Sequence, residues 1–328
     1  MRIVLSRLDR VGDLILSTPA IASVRRSWPQ AHVTLACSRH NHVVVEHSPD
    51  LDEVVVVEPH ESPSCVGRRL AGAELAIALA PCAADFRLVR ATGAAARVGY
   101  TYARRYLARL TAPLFLTALE LSQADPARSE SEASVPVRHE VDQVLALVTR
   151  AGGAVLAREL VVPVSAADRA SVAHVPGGAL TLHLGARWFR DGSTLASAIA
   201  LMRDLRARGH TVVATYGPDA DAEAREVREA GAADAVIGGL SFPSWAAVFE
   251  KSRLILTVDT GATHVASAMK RPTVVLFEHR YFALASREWA PYRVPQVSVR
   301  KPATQHPDDL AASRVALLHA VETLVADA

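Results

Sequence analysis

Two polar turns, near opposite ends of the chain, bring together residue types suited to proton transfer and phosphate binding. The first, Arg7-Leu8-Asp9-Arg10-Val11-Gly12-Asp13, follows a strand-like run from Ile3 to Ser6. The second, Asp259-Thr260-Gly261-Ala262-Thr263-His264, follows the apolar run Leu254 to Val258. A helix start presents unpaired N–H groups and the positive end of its dipole, so it suits phosphate. Gly261 lets the backbone come close to a ligand, Thr260 and Thr263 offer hydroxyls, and His264 can donate a hydrogen bond. In the first turn Gly12 allows a tight bend and Asp13 brings a carboxylate to a helix start, where the dipole favours it. A third loop, from Gly185 to Gly192, adds Arg187 and Arg190. The plain alternative for Asp13, Asp259 and Thr260 is that each only caps its helix.

The surrounding elements are what would position these turns. Strand-like runs at Ile3–Ser6, His32–Ala36, Glu53–Val57, Leu75–Leu79 and Arg97–Tyr100 alternate with helical stretches at Leu14–Ser27, Asn41–His47, Ser64–Ala71 and Ala84–Thr92. A second series starts at Leu180–Leu184 and continues with Thr211–Thr215, Ala235–Ile237, Leu254–Val258 and Thr273–Phe277. Helices are expected near 194–208, 219–230, 244–251 and 262–269. One helix between each pair of strands points to doubly wound parallel sheets. Thr273–Phe277 is expected to close the second sheet. Residues 122–138 read as a mobile surface loop, 160–164 as an extended piece and 165–178 as a linker. The helix from about Asp308 to Ala326 could pack against either half. The reading is an α/β chain with an N-terminal domain at 1–165 and a C-terminal domain at 166–328.

Composition excludes several classes. The chain has 328 residues, 50% hydrophobic and 21% charged, with net charge +2, so it is a globular protein with no electrostatic case for nucleic acid. Cys37, Cys65 and Cys82 are too scattered for a zinc site or disulfide framework, and no metal-ligand spacing occurs. No Gly-x-Gly-x-x-Gly follows the first strand and there is no P-loop, which argues against a dehydrogenase or NTPase. No apolar stretch approaches the roughly 20 residues that span a bilayer. The expectation is a cytoplasmic protein, with attachment at the inner face of the membrane left open.

All three loops leave carboxyl ends of expected strands, where open α/β sheets place their sites. Two such domains facing across a cleft would suit transfer from an activated donor. A carboxylate takes the acceptor's proton, while a dipole and guanidinium groups meet the charge on a leaving diphosphate. Arg104 and Arg105 begin a basic, aromatic stretch through Arg109 that reads either as a solvated helix face or as a clamp for an anionic acceptor.

The opening Met1–Leu5, continued by Gly12-Asp13-Leu14-Ile15-Leu16-Ser17-Thr18-Pro19-Ala20, resembles that of the family 9 glycosyltransferases, the heptosyltransferases of lipopolysaccharide core assembly. Asp259-Thr260-Gly261-Ala262-Thr263-His264 resembles their donor motif, and Arg97-Val98-Gly99 and Gly185-Ala186-Arg187 also fit. The resemblance implies a GT-B fold of two Rossmann-like domains facing across a cleft, and an inverting reaction without a tightly bound metal or cofactor. It implies an N-terminal domain for the acceptor and a C-terminal domain for an ADP-sugar, commonly ADP-heptose. By position, Asp13 matches the catalytic base, Asp259 a donor-sugar contact, and Thr260, Gly261 and His264 the diphosphate turn, with Thr263 beside them. Arg7, Arg10, Gly12, Arg104 and Arg105 fall on the acceptor side. The acceptor implied is a glycan or lipid-linked molecule.

The chain departs from the family at two places. The family's lysine after the Gly-Ala of the C-terminal domain's first strand is absent, and Arg190 stands as the substitute cation. After Phe277 the family's glycine is replaced by Glu278, a candidate for a ribose hydroxyl. A nucleotide-sugar 2-epimerase of the same fold, which needs several acidic groups around the sugar, and a non-catalytic nucleotide-sugar or glycan-binding protein are the alternatives.

Overall fold

Apolar runs of five or so residues bounded by polar turns form strands buried on both faces, with helices as the crossovers. The computed structural model describes residues 1–125, 134–190 and 192–326. Its contacts divide the chain into two units, Met1–Pro163 and Val164–Ala328. The loop reading for 122–138 falls largely on 126–133, which lie outside the described residues.

The first unit runs β1 (Arg2–Arg7), α1 (Val11–Ser27), β2 (His32–Ser38), β3 (Glu53–Val57), α2 (Pro63–Arg69), β4 (Leu75–Ala78), α3 (Ala83–Ala91), β5 (Ala96–Tyr102), α4 (Tyr106–Thr111), β6 (Ala118–Ser122) and α5 (Glu140–Arg150). Its six strands are parallel, in the order β3-β2-β1-β4-β5-β6. The strand order reverses between β1 and β4, so the turn after β1 opens at the switch point. Pro19 sits inside α1 and cannot donate to the Ile15 carbonyl. The Thr18 hydroxyl does so instead, at 2.7 Å.

The second unit runs α6 (Ala166–Ser171), β7 (Leu180–Leu184), α7 (Leu195–Ala207), β8 (Val212–Tyr216), α8 (Asp221–Glu229), β9 (Ala235–Ile237), α9 (Phe242–Lys251), β10 (Leu254–Val258), α10 (Gly261–Ala268), β11 (Thr273–Phe277), α11 (Phe282–Glu288), β12 (Gln296–Arg300) and α12 (Pro307–Ala326). Its parallel order, β12-β11-β10-β7-β8-β9, repeats the arrangement of the first sheet. The switch point lies between β7 and β10.

Several expectations need correction. The second sheet does not end at β11, because β12 pairs with it from Thr273↔Gln296 to Phe277↔Arg300. β6 likewise extends the first sheet beyond β5. Residues 160–164 join neither sheet. The span expected as a linker contains α6, which packs on α9, and Val172 and Val175 enter a buried cluster. In place of the helix expected over 41–47 there is a single 3₁₀ turn, His42–Val44. α12 packs within its own unit, on α7 and on β10, β11 and β12, burying Leu317, Leu318, Val321 and Leu324.

Candidate functional site

In the first unit the turn after β1 is built around a buried guanidinium. Arg7 is 1% exposed, so its donors must all be met by protein. Nη1 donates to the Leu79 carbonyl and, at 2.8 Å, to Glu140 Oε1, while Nε donates to Asp9 Oδ1 at 2.8 Å. Nη2 lies 3.5 Å from Asp13 Oδ1. The Tyr100 hydroxyl also donates to Glu140, 2.9 Å from Oε1, the oxygen that Arg7 meets, and 3.0 Å from Oε2. Burial would lower the Arg7 pKa, but Asp9, Glu140 and Asp13 outweigh it and hold it well above the usual arginine value.

One cation facing three carboxylates cannot satisfy all of them in the charged state. The Asp13 carboxyl carries much of that imbalance. Burial first, and Asp9 second, push it up to about 7, against the opposing pull of Arg7. Glu140 is also raised, mainly by burial, with Arg7 and Tyr100 resisting. Asp85, in the first turn of α3, is fully buried. Its Oδ1 accepts from the Ser6 hydroxyl at 2.6 Å and the Leu8 N–H at 3.1 Å. Its Oδ2 has no hydrogen-bond partner, and burial pushes this carboxyl to about 7 as well.

Asp13 is the third residue of α1, and the helix's N-cap is Arg10. Gly12 therefore has helical backbone and is not among the glycines with positive φ. The tight turn expected from it is replaced by the first turn of α1 itself. Arg7, placed by sequence among acceptor contacts, is enclosed; it orients Asp13 and does not reach out. Arg10 is exposed at the helix start. Arg105 spends its fork on Asp125, with bonds of 2.7 and 2.8 Å, and stacks 4.4 Å over Tyr102. That bidentate pair is not an open clamp. Arg104 is exposed beside it.

In the second unit the loops after β7 and β10 meet at the switch point. Arg187 Nη1 donates to the Asp259 carbonyl at 2.6 Å and to its carboxylate at 3.1 Å. A Cβ on Gly185 would stand 4.0 Å from Thr260 Cγ2, so these two turns are in van der Waals reach. Three helices of this unit are capped by hydroxyls, from Ser165, Thr194 and Ser241. Thr260, the N-cap of α10, makes no such bond, and its hydroxyl donates to the Val258 carbonyl at 3.2 Å. The Thr263 hydroxyl also turns inward to Val258, at 3.3 Å, and is fully buried. Thr263 thus secures the strand end and offers no hydroxyl to a ligand. His264 is 5% exposed within α10.

Arg190 is exposed on the loop after β7. Lys301, which sequence reasoning missed, is buried beneath that loop. Its ammonium donates to the Arg187 carbonyl, to the Arg190 carbonyl at 3.0 Å and to Glu278 Oε1 at 3.3 Å. The Glu278 carboxylate therefore faces an internal lysine. Composition held one signal: the chain has only three lysines, Lys251, Lys270 and Lys301, against a total of 36 basic residues. Lys251 and Lys301 each hold three oxygens, a task for three diverging donors and not for a planar fork. Glu140, Tyr100 and Asp85 gave no comparable signal. Among the described residues no cluster of His, Cys, Asp or Glu could hold a metal ion. No described helix is long and apolar enough to cross a membrane.

Residues 199–316 match the model of glycosyltransferase family 9 (heptosyltransferase), a span that holds the 259–264 turn and Lys301. The chain is similar to glycosyltransferase family 9. A curated relative, lipopolysaccharide heptosyltransferase 3 of Escherichia coli, is 32% identical over 83 residues, a segment spanning 24% of each protein's length. The family likeness in fold extends over both units. The glycosyl transferase family 9 structure from Veillonella parvula has a TM-score of 0.78 at 18% identity, covering 100% of this chain and 98% of the other. An E. coli heptosyltransferase solved with ADP has a TM-score of 0.69 at 17% identity, covering 99% of each chain. These matches give the GT-B fold of two Rossmann-like domains.

Proposed function

We propose that the protein is an inverting glycosyltransferase that moves a sugar, a heptose, from an ADP-sugar to a hydroxyl of a glycan or lipopolysaccharide-core-type acceptor. The observation that carries the reading is the Asp13 carboxyl, raised to about 7 at the carboxyl edge of the first sheet. A general base works best with a pKa near the working pH. The acceptor hydroxyl loses its proton to Asp13 as its oxygen attacks the anomeric carbon. The bond from that carbon to the diphosphate oxygen breaks, and ADP leaves.

The second unit supplies the donor side. The start of α10, with Thr260 and Gly261, offers backbone N–H groups to the diphosphate. Arg187 and Arg190 add guanidinium charge from the neighbouring loop, and Asp259 orients both Arg187 and the donor sugar. The family match over 199–316 supports this half, and ADP is the nucleotide in a structure of similar fold.

Calorimetric titration with ADP, UDP, GDP and NAD⁺ in parallel tests the donor side, with Asp259→Ala as control. ADP binding that the substitution weakens is the expected result. Preference for UDP or GDP would remove the heptose assignment. Binding of none of the nucleotides, or of NAD⁺ alone, would sink the reading.

A further inference from the structure

Glu140 is the first residue of α5 and meets Arg7 from the far end of the first unit's sequence. The side chain of His139, the N-cap, accepts from the Val141 N–H at 3.2 Å and fixes where the helix starts. A carboxylate in the first helical turn is favoured in its charged form by the dipole. Glu140 is buried, so that charge must be met by protein and not by water. Arg7 Nη1 and the Tyr100 hydroxyl both meet it on Oε1, and the hydroxyl reaches Oε2 as well. Tyr100 is itself buried, with its ring edge-on to Tyr102 and the centroids 6.0 Å apart. The core around β5 thus aims the phenol at Glu140.

The carboxyls on Arg7 are held unequally. Asp9 lies at 2.8 Å with its side chain 22% exposed, so water shares its charge. Glu140 lies at 2.8 Å with its side chain 2% exposed. Asp13 lies at 3.5 Å, beyond the roughly 2.7–2.9 Å of a charge-assisted hydrogen bond, and its side chain is 20% exposed. The other groups facing Asp13 are Arg10 in the turn and Cys82 at the start of α3. Burial pushes the Cys82 thiol up to about 11, so it is uncharged at neutral pH. Asp85, also on α3, faces Arg7 and Asp9. Among these groups Glu140 competes with Asp13 for Arg7 out of reach of water.

We propose that Glu140 and Tyr100 are positioning residues for the transfer: the phenol keeps Glu140 a carboxylate, Glu140 holds the Arg7 guanidinium to its own side, and Asp13 is left able to take up a proton. Both residues are buried, so they act through Arg7 and not on a ligand. The link to catalysis rests on the reading of Asp13 as the base. The ranking of the carboxyls around Arg7 does not.

Carbon-13 resonances of the whole protein, labelled at its aspartate carboxyls, test it without turnover. The Asp13 signal is the one lost in Asp13→Asn, and it is followed through a pH series. Glu140→Gln keeps an oxygen for Arg7 and Tyr100 but removes the competing charge. Asp13 is expected to titrate about one pH unit or more lower in this variant, because the repulsion from Glu140 is gone and the guanidinium turns to Asp13. Tyr100→Phe is expected to move it the same way by less, since Glu140 without its phenol donor takes a proton more readily and loosens its hold on Arg7. The rise of ADP release with pH should move down by the same amount, with the KM for the ADP-sugar unchanged because the second unit is untouched. A purely structural role would lower melting temperature and activity at every pH and leave the Asp13 titration where it was. Asp13 titrating at or above its wild-type pH in folded Glu140→Gln would overturn the proposal. If Glu140→Gln does not fold, an unmoved titration in Tyr100→Phe overturns it instead. A lowered titration together with an Asp13→Asn variant that still transfers would defeat the reading of Asp13 as the base and leave the ranking of the carboxyls standing.

Discussion

Arg7 Nη2 stands 3.5 Å from Asp13 Oδ1, and the same guanidinium contacts Asp9 and Glu140 at 2.8 Å. The cation is thus shared, and Asp13 holds only its most distant contact. A carboxyl held this way is oriented without being locked in the ionised form.

Transfer activity should follow the ionisation of Asp13. Activity is expected to rise with pH and reach half its plateau near 7, because the carboxyl must lose its proton to act. Asp13→Asn keeps the shape and removes the base, with an expected loss of about 10²–10⁴-fold in kcat. ADP release across a pH series reads both. An asparagine variant within a few-fold of wild type would exclude Asp13 as the base.

Asp85 gives a stability effect of opposite direction. Its carboxyl is raised from 3.8 to about 7 by burial, so the fold favours the protonated form. The stability it contributes is fully present below 3.8 and is lost as pH rises through about 7. Asp85→Asn removes this titration while its carbonyl still accepts from Ser6 and Leu8. Denaturant midpoints at pH 5 and pH 8 should therefore differ less in the variant than in the wild type. An equal difference in both proteins would refute the assignment.

The sequence made the central strands plain and two of the four edge strands, β6 and β12, obscure, while the edges β3 and β9 were read at their observed bounds. Leu254–Val258 and Thr273–Phe277 are buried at every position, so they read as unbroken apolar runs. β6 and β12 are edge strands, and Ala-Leu-Glu-Leu-Ser and Gln-Val-Ser-Val-Arg mix polar and apolar residues as half-covered strands do. The polar turns were legible because each directly follows a strand. Glu140 and Lys301 were not, since each reaches its turn from more than a hundred residues away and only the fold joins them.

The Arg187–Asp259 pair should be separable by nucleotide binding. Arg187→Ala removes a guanidinium that the proposed diphosphate would contact, and a charged hydrogen bond of this kind is worth about 1.5–3 kcal/mol. A loss of roughly 10- to 100-fold in ADP affinity is expected by calorimetry. Arg187→Lys should recover part of the charge but not the contact to both the Asp259 carbonyl and carboxylate. Wild-type affinity in Arg187→Ala would place the diphosphate elsewhere.

Lys301 should act on the donor loop without touching a ligand. Its ammonium is buried and holds the carbonyls of Arg187 and Arg190, so it fixes the backbone from which both guanidinium groups project. The same loop is seated a second time at Gly192, whose φ is +85° and where a Cβ would meet the Pro302 carbonyl oxygen at 2.0 Å. Lys301→Met fills the space but leaves two carbonyls and Glu278 without their cation. A destabilisation of about 3–5 kcal/mol is expected, as for breaking a buried ion pair. Lys301→Met/Glu278→Gln removes the stranded charge and should regain part of that stability, while the two carbonyls stay unmet. ADP affinity should then remain low in the double variant although the fold is recovered, because the loop still lacks its anchor. If the double variant binds ADP as the wild type does, Lys301 only balances Glu278, and the loop is held by Gly192 and its neighbours alone.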